Sequence, residues 1–139
     1  MTFTPAAKKT IADFLSDPGT KPTDYDAIFT GDLSSVGTEL LYELMLKEEG
    51  VDLGRVHKDC GLMIFDREKQ DVHAGGSGCG CSAITLCGYL LNKLQSGKLK
   101  KVLFCGTGAL LSPTSTQQGL PIPAVCHAIS ICGGRACNM

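Results

Sequence analysis

Apolar and polar positions along this chain form blocks that predict helices alternating with short strands. Apolar residues recur at helical spacing in residues 6–15 and 36–49, and a long apolar stretch without proline predicts a third helix at 81–95. Four further apolar runs have the length of buried strands, namely residues 26–30, 61–65, 101–106 and 124–132. The predicted order of elements is therefore α-β-α-β-α-β-β.

This order predicts an α/β fold with a mixed, mainly parallel sheet and helices on both of its faces. Helices that lie between parallel strands act as crossovers, and such crossovers are right-handed. Residues 113–123 form a polar, turn-rich connection between the last two strands, which predicts that this pair is antiparallel. Residues 1–139 are expected to form a single domain.

The third predicted helix differs from the other two because it has no polar stripe. Residues 83–91 contain no charged side chain. A helix that is apolar all round is expected to be buried on all sides. In this chain alone it would expose a large apolar surface, which marks either an interaction site or a liability.

A glycine-rich loop precedes this helix. Residues 75–80 contain four glycines, which allow the backbone to turn sharply or to approach another group closely. Unpaired N–H groups and the helix dipole make such a junction an anion-binding arrangement. The Gly-Lys-Ser/Thr ending of a phosphate loop is absent, and Cys81 stands where the dinucleotide fingerprint requires glycine. A tight packing turn that binds nothing is the alternative.

Composition narrows the possible functions. A net charge of −1 argues against a nucleic-acid partner. The chain has no N-terminal apolar h-region and no run of apolar residues long enough to cross a bilayer, so neither a signal peptide nor a transmembrane helix is expected. Without a secretory signal, the eight cysteines are expected to be reduced thiols rather than a disulfide framework.

Four segments carry a resemblance to a known family. They are Thr-Gly-Asp-Leu-Ser (30–34), Asp-Cys-Gly-Leu-Met-Ile (59–64), Asp-Val-His-Ala-Gly-Gly-Ser-Gly-Cys-Gly-Cys-Ser-Ala (71–83) and Gly-Ala-Leu-Leu-Ser-Pro-Thr-Ser (108–115). Together they closely resemble the stage V sporulation protein AD family, over about residues 5–130. The resemblance implies a thiolase-like fold, of which this chain is similar to the C-terminal half without that half's first strand.

The same resemblance implies a function in spore formation. Members of the family bind dipicolinic acid and work with membrane proteins that carry this acid, with calcium, across the spore inner membrane. The expected partners are therefore dipicolinic acid, free or as its calcium complex, and other stage V sporulation membrane proteins. A second copy or an N-terminal thiolase-like half is expected to pair with the chain. The expected location is peripheral, on the cytoplasmic side of that membrane, and the chain is expected to be a fragment.

The resemblance also implies that acyl-transfer chemistry is absent. In the related ketoacyl synthases, a catalytic histidine lies at the place of Asp32 and a catalytic asparagine falls near Gly78, where both groups stabilise an oxyanion. A carboxylate would repel that oxygen, glycine offers no side-chain donor, and the nucleophilic cysteine belongs to the absent half. We therefore expect no enzyme activity, no catalytic residue and no cofactor. There are two alternatives. The chain could be an acyltransferase half that needs a separate N-terminal half, or a structural module for membrane partners.

Dipicolinic acid is a flat aromatic dianion, which requires donors for two carboxylates and an apolar slot. Backbone N–H groups of residues 78–81 and nearby hydroxyls are expected to hold one carboxylate, with calcium or a proton needed beside Asp32. The residues expected to bind the ligand are Asp32, Ser34, His73, Ser77, Gly78, Cys79, Gly80, Cys81 and Ser112.

Two alternatives concern the Cys-x-Cys pair within this set. At a helix N-terminus the thiol pKa of Cys79 or Cys81 should fall, which would suit a nucleophile, and His73 would complete half of a metal site. Small residues that line a tight loop are the favoured interpretation. Since zinc usually takes four ligands and no second cysteine pair is present, no metal site is expected. His57 is expected to be solvated in a polar connection.

Overall fold

A computed structural model describes residues 3–76, 78–110 and 112–134. It contains one four-stranded sheet, whose strands are β1 (Ala27–Thr30), β2 (His57–Asp59), β3 (Lys101–Ala109) and β4 (Ala124–Cys132). The strand order is β2-β1-β3-β4. β1 pairs in parallel with β2 and β3, and β3 pairs antiparallel with β4. The predicted mainly parallel sheet with an antiparallel closing pair is confirmed.

The described helices flank this sheet, and those between β1 and β3 lie in the connections between parallel strands. The helices are α1 (Phe3–Ser16), α2 (Ser34–Glu49), α3 (Cys60–Ile64), α4 (Cys81–Thr85), α5 (Leu91–Gln95) and α6 (Pro113–Gln117), with a short 3₁₀ turn at Pro22–Asp24. A π-helical segment, Leu86–Leu90, joins α4 to α5, so that residues 81–95 form one continuous helical stretch. Within the described residues, no helix is both long and apolar enough to cross a membrane.

The sheet separates two hydrophobic clusters, because alternate residues of a strand point to opposite faces. Ile28 of β1 and Leu103 of β3 pack with α1 and α2 on one face. Phe29 of β1 and Val102 of β3 pack with the α4–α5 stretch on the other. All four residues of β1 are buried. Helices therefore cover both faces, as the sequence predicts for an α/β fold.

The second strand is not where the apolar pattern places it. The predicted strand at 61–65 is wrong, because β2 is the preceding polar segment and residues 60–64 form α3. A short apolar run does not distinguish a strand from a helix. Met63 and Ile64 are 37% and 38% exposed, so this run does not supply a buried strand.

The α4–α5 stretch is buried on one side only, which corrects the expectation of burial all round. Cys81, Leu90 and Leu94 face the sheet and are buried. Ile84 is 65% exposed, and Tyr89 and Leu91 are also exposed. The sheet covers a single side of this helix, and no element among the described residues covers the other. We call Ile84, Tyr89 and Leu91 the exposed helix face.

Replacing Ile84 with serine is expected to change the free energy of unfolding by less than about 0.5 kcal/mol, because serine and isoleucine have similar helix propensities and the side chain is mostly exposed. Urea unfolding at low protein concentration would measure this change. A loss above about 1.5 kcal/mol would contradict the exposure of this side chain in solution.

Candidate functional site

The candidate site lies where β1 and β3 end, which is where open α/β sheets place ligands. Asp32 follows β1, and both oxygens of its carboxylate accept hydrogen bonds. Oδ2 accepts from the backbone N–H of Gly78 at 3.0 Å, and Oδ1 accepts from the hydroxyl of Thr107 at 3.1 Å. The N–H of Asp32 in turn donates to Thr107 Oγ1 at 3.3 Å. Asp32 therefore ties the glycine-rich loop to the end of β3.

Further contacts hold the glycine-rich loop against residues 31–35. The N–H of Ser35 donates to the carbonyl oxygen of Ala74 at 3.0 Å, and Cys81 Sγ donates to the carbonyl oxygen of Gly31 at 3.5 Å. Gly76 has a φ of +89°, a conformation that favours glycine. A Cβ at Gly76 would lie 3.5 Å from the Cβ of Ser34, so the backbone of the loop packs directly on this segment.

The structure thus brings together much of the predicted binding set. We call Asp32, Ser34, Thr107 and residues 78–81 the Asp32 cluster. Among the described residues, no protein group accepts a hydrogen bond from the N–H of Cys79 or Gly80, both of which are exposed at the start of α4. Within the described part of the chain, these two N–H groups are therefore the donors open to an external anion, whereas the N–H of Gly78, predicted to be one of them, already donates to Asp32.

The described side-chain contacts of two other predicted residues fall outside the Asp32 cluster. The side chain of His73 is 89% exposed, and its Nδ1 lies 3.7 Å from a carboxylate oxygen of Asp71. Ser112 caps α6, where its hydroxyl accepts from the N–H of Ser115 at 3.4 Å. Ser77 lies outside the described residues. Among the residues that the structure describes, no group of three or more His, Cys, Asp and Glu side chains has the arrangement of a metal site.

The thiols fall into two classes. Cys79 and Cys87 are exposed, whereas Cys60, Cys105 and Cys126 are buried thiols. Burial raises the pKa of Cys60 to about 12, so this thiol is a poor nucleophile. Cys132 is disulfide-bonded, which corrects the expectation of a reduced thiol at that position.

A buried polar network lies beside the cluster, and the sequence pattern does not predict it. His57, predicted to be solvated, is only 6% exposed, and its Nε2 lies 2.9 Å from Thr30 Oγ1. Thr30 donates to Asp59 Oδ1 at 2.7 Å, and Tyr42 lies 3.1 Å from His57 Nδ1. The available signal is the i, i+2 spacing in His57-Lys-Asp59, which places both side chains on one face of a strand.

Burial controls the ionisation of this network, since desolvation disfavours a charged form. It lowers the pKa of His57 to about 4. It also raises the pKa of Asp59, against the opposing effect of hydrogen bonds from Thr30 and from the N–H groups of Leu33 and Ser34. The imidazole is therefore neutral at pH 7, and the carboxylate accepts hydrogen bonds from Thr30, Leu33 and Ser34.

A four-stranded, mostly parallel sheet between helical layers, with a glycine-rich loop at the carboxyl ends of its strands, is consistent with half of a thiolase-like α/β fold. Residues 1–132 match the Stage V sporulation protein AD (SpoVAD) family. The chain is 46% identical over 125 residues to Stage V sporulation protein AD of Bacillus subtilis (strain 168). It belongs to this family. The alignment covers 90% of the chain and 36% of the relative, so the chain spans about a third of that protein's length.

Proposed function

We propose that this chain binds dipicolinic acid, as its calcium complex, at the Asp32 cluster. The contact between Asp32 Oδ2 and the N–H of Gly78 carries the proposal, because it places a carboxylate against the glycine-rich loop at 3.0 Å. A ligand carboxylate has the same chemistry. The next two residues, Cys79 and Gly80, are exposed just before α4, and their N–H groups are the donors proposed to hold that ligand carboxylate.

Calcium resolves the charge conflict in this site. The two ligand carboxylates and Asp32 would place three negative charges close together, at a large electrostatic cost. Calcium takes six to eight oxygen ligands, including carboxylates, with flexible geometry. A calcium ion carried by the ligand would therefore bridge the ligand to Asp32 and convert repulsion into attraction. The bound species is thus calcium dipicolinate rather than the free dianion.

In this proposal the chain catalyses no reaction. The group beside the glycine-rich loop is the carboxylate of Asp32, which cannot donate a hydrogen bond to a developing oxyanion while ionised. Binding of calcium dipicolinate by this protein would support the uptake or release of that complex across the spore inner membrane. The chain would act at the cytoplasmic side of that membrane together with other stage V sporulation membrane proteins.

The exposed helix face favours a further role in assembly. Its apolar side chains are uncovered among the described residues, and such surfaces mark contacts with other proteins. Its proposed occupant is an N-terminal thiolase-like half or a second copy of this chain. Sedimentation of the chain alone and after co-expression with that half would distinguish the two occupants. Ile84→Lys would test the face itself, because a lysine at this position should abolish only an assembly that uses this face.

Calorimetry with dipicolinate tests the binding proposal directly. Titrations would use this chain, alone and co-expressed with an N-terminal thiolase-like half, with and without excess calcium. We expect binding heat only when calcium is present. Asp32→Asn keeps the shape of the side chain and removes its charge, so it should weaken binding of the calcium complex by about tenfold.

Asp13→Asn is the matched control, because it removes the same charge from an exposed carboxylate of α1 whose described partner is Lys9, at 2.8 Å. It should leave the affinity unchanged. Absence of heat from wild-type protein in every preparation would reject dipicolinate binding and favour the structural role. Acylation of a cysteine by acetyl-CoA or malonyl-CoA, detected by mass spectrometry, would reject the absence of enzyme activity.

A further inference from the structure

Asp59 is the buried anchor of the segment that carries Asp32. Its side chain is 2% exposed. Oδ1 accepts from the N–H of Leu33 at 2.9 Å, and Oδ2 accepts from the N–H of Ser34 at 3.2 Å. These N–H groups open α2, where a carboxylate also interacts favourably with the helix dipole. Asp59 therefore binds the backbone immediately after Asp32.

The backbone of this segment needs such an anchor. Ser34 has a φ of +64°, in the left-handed region that residues other than glycine rarely adopt. A strained residue of this kind persists only where its surroundings fix it. Asp59 holds Ser34 from one side, while Thr107 holds the carboxylate of Asp32 from the other. The direction of Asp32 toward the glycine-rich loop is thus set by groups outside its own segment.

A directional chain of hydrogen bonds orients Asp59. The hydroxyl of Thr30 has one proton, which it donates to Asp59, so it must accept from Nε2–H of His57. That tautomer leaves Nδ1 as an acceptor for the hydroxyl of Tyr42 at 3.1 Å. The rings of Tyr42 and His57 also meet edge to face, with centroids 5.3 Å apart. This series of hydrogen bonds therefore runs from Tyr42 through His57 and Thr30 to Asp59.

We propose that Asp59 is a positioning residue for the Asp32 cluster, and that Tyr42, His57 and Thr30 fix its orientation. Asp59 acts by holding the backbone of residues 33–34, so that the carboxylate of Asp32 reaches the N–H of Gly78. The effect on ligand affinity rests on the proposed binding function, whereas the effect on the contact between Asp32 and Gly78 does not.

Two variants and two measurements test this positioning role. Asp59→Asn replaces one acceptor oxygen with an NH₂ donor that faces other donors. Tyr42→Phe removes only the hydroxyl at which this series of hydrogen bonds begins. The first measurement is hydrogen exchange of the Gly78 amide by NMR, which reports its bond to Asp32 without any ligand. We expect Asp59→Asn to speed this exchange about tenfold, and Tyr42→Phe to speed it two- to threefold, about what a weakened hydrogen bond predicts.

The second measurement is the affinity for calcium dipicolinate, which should fall by about the same factors. Tyr25→Phe is the matched control, because the hydroxyl of Tyr25 lies 3.4 Å from Thr20 and belongs to no part of this chain of bonds. It should change neither readout.

Unchanged Gly78 exchange in a folded Asp59→Asn protein would overturn the positioning role, even if the free energy of unfolding fell. If that variant does not fold, unchanged exchange in Tyr42→Phe would overturn the link through His57. A wild-type protein that binds no dipicolinate would reject the proposed function alone, since the exchange measurement would still decide the role of Asp59.

Discussion

Gly61→Ala is expected to destabilise the fold by about 2 to 3 kcal/mol and to weaken ligand binding at least about tenfold. A Cβ at Gly61 would lie 2.8 Å from Gly76 Cα and 3.2 Å from Gly76 N. It would also lie 3.1 Å from Asp59 Oδ2. Because the nearest atom belongs to backbone, no rotamer change relieves the contact. The glycine-rich loop must move, which draws Gly78 away from Asp32.

Urea unfolding and calorimetry with calcium dipicolinate would measure both effects. Gly88→Ala is the matched control, since a Cβ at Gly88 meets no atom within 4 Å. In that helical position alanine should be neutral or stabilising by up to about 1 kcal/mol. Equal stability of the Gly61→Ala and Gly88→Ala proteins would contradict the close packing of the loop on α3.

Hydrophobic patterning predicts the layers of this fold because most of its strands and helices bury apolar faces. β1 illustrates this, since Ile28 and Phe29 point to opposite clusters and both helical layers are amphipathic or apolar. The same patterning does not predict β2, because the side chains that this strand buries are polar. His57 and Asp59 can be buried because both form hydrogen bonds with Thr30, which lies on the adjacent strand β1.

The position of the candidate site follows from topology, whereas its contacts do not. A loop at the carboxyl end of a strand and a glycine-rich loop before a helix are expected to meet at one edge of a parallel sheet. The donation from Gly78 to Asp32 depends on backbone conformation, including a φ of +86° at Gly78, which no periodicity reports. The sequence likewise does not predict which side of α4–α5 is uncovered, because the helix is apolar on both sides.

The same buried network predicts the response of stability to acid. His57 has an ordinary pKa of 6.5 that burial lowers to about 4 in the folded protein. Well above pH 6.5 the imidazole is neutral in both the folded and the unfolded protein, so it does not change the free energy of unfolding. As the pH falls toward 4, the unfolded chain binds a proton that the folded chain does not. The free energy of unfolding should therefore fall by about 3 kcal/mol across this window.

Urea unfolding at intervals from pH 7 to pH 4, for wild-type protein and His57→Gln, would isolate this contribution. Asp59 acts in the opposite direction, because its raised pKa lets the folded protein take up a proton before the unfolded chain does. Asp59 is present in both proteins, so its effect largely cancels in the comparison. The wild-type curve should lose about 3 kcal/mol more than the variant over this range. Parallel curves would mean that His57 titrates normally, and that water rather than Thr30 and Tyr42 surrounds the imidazole.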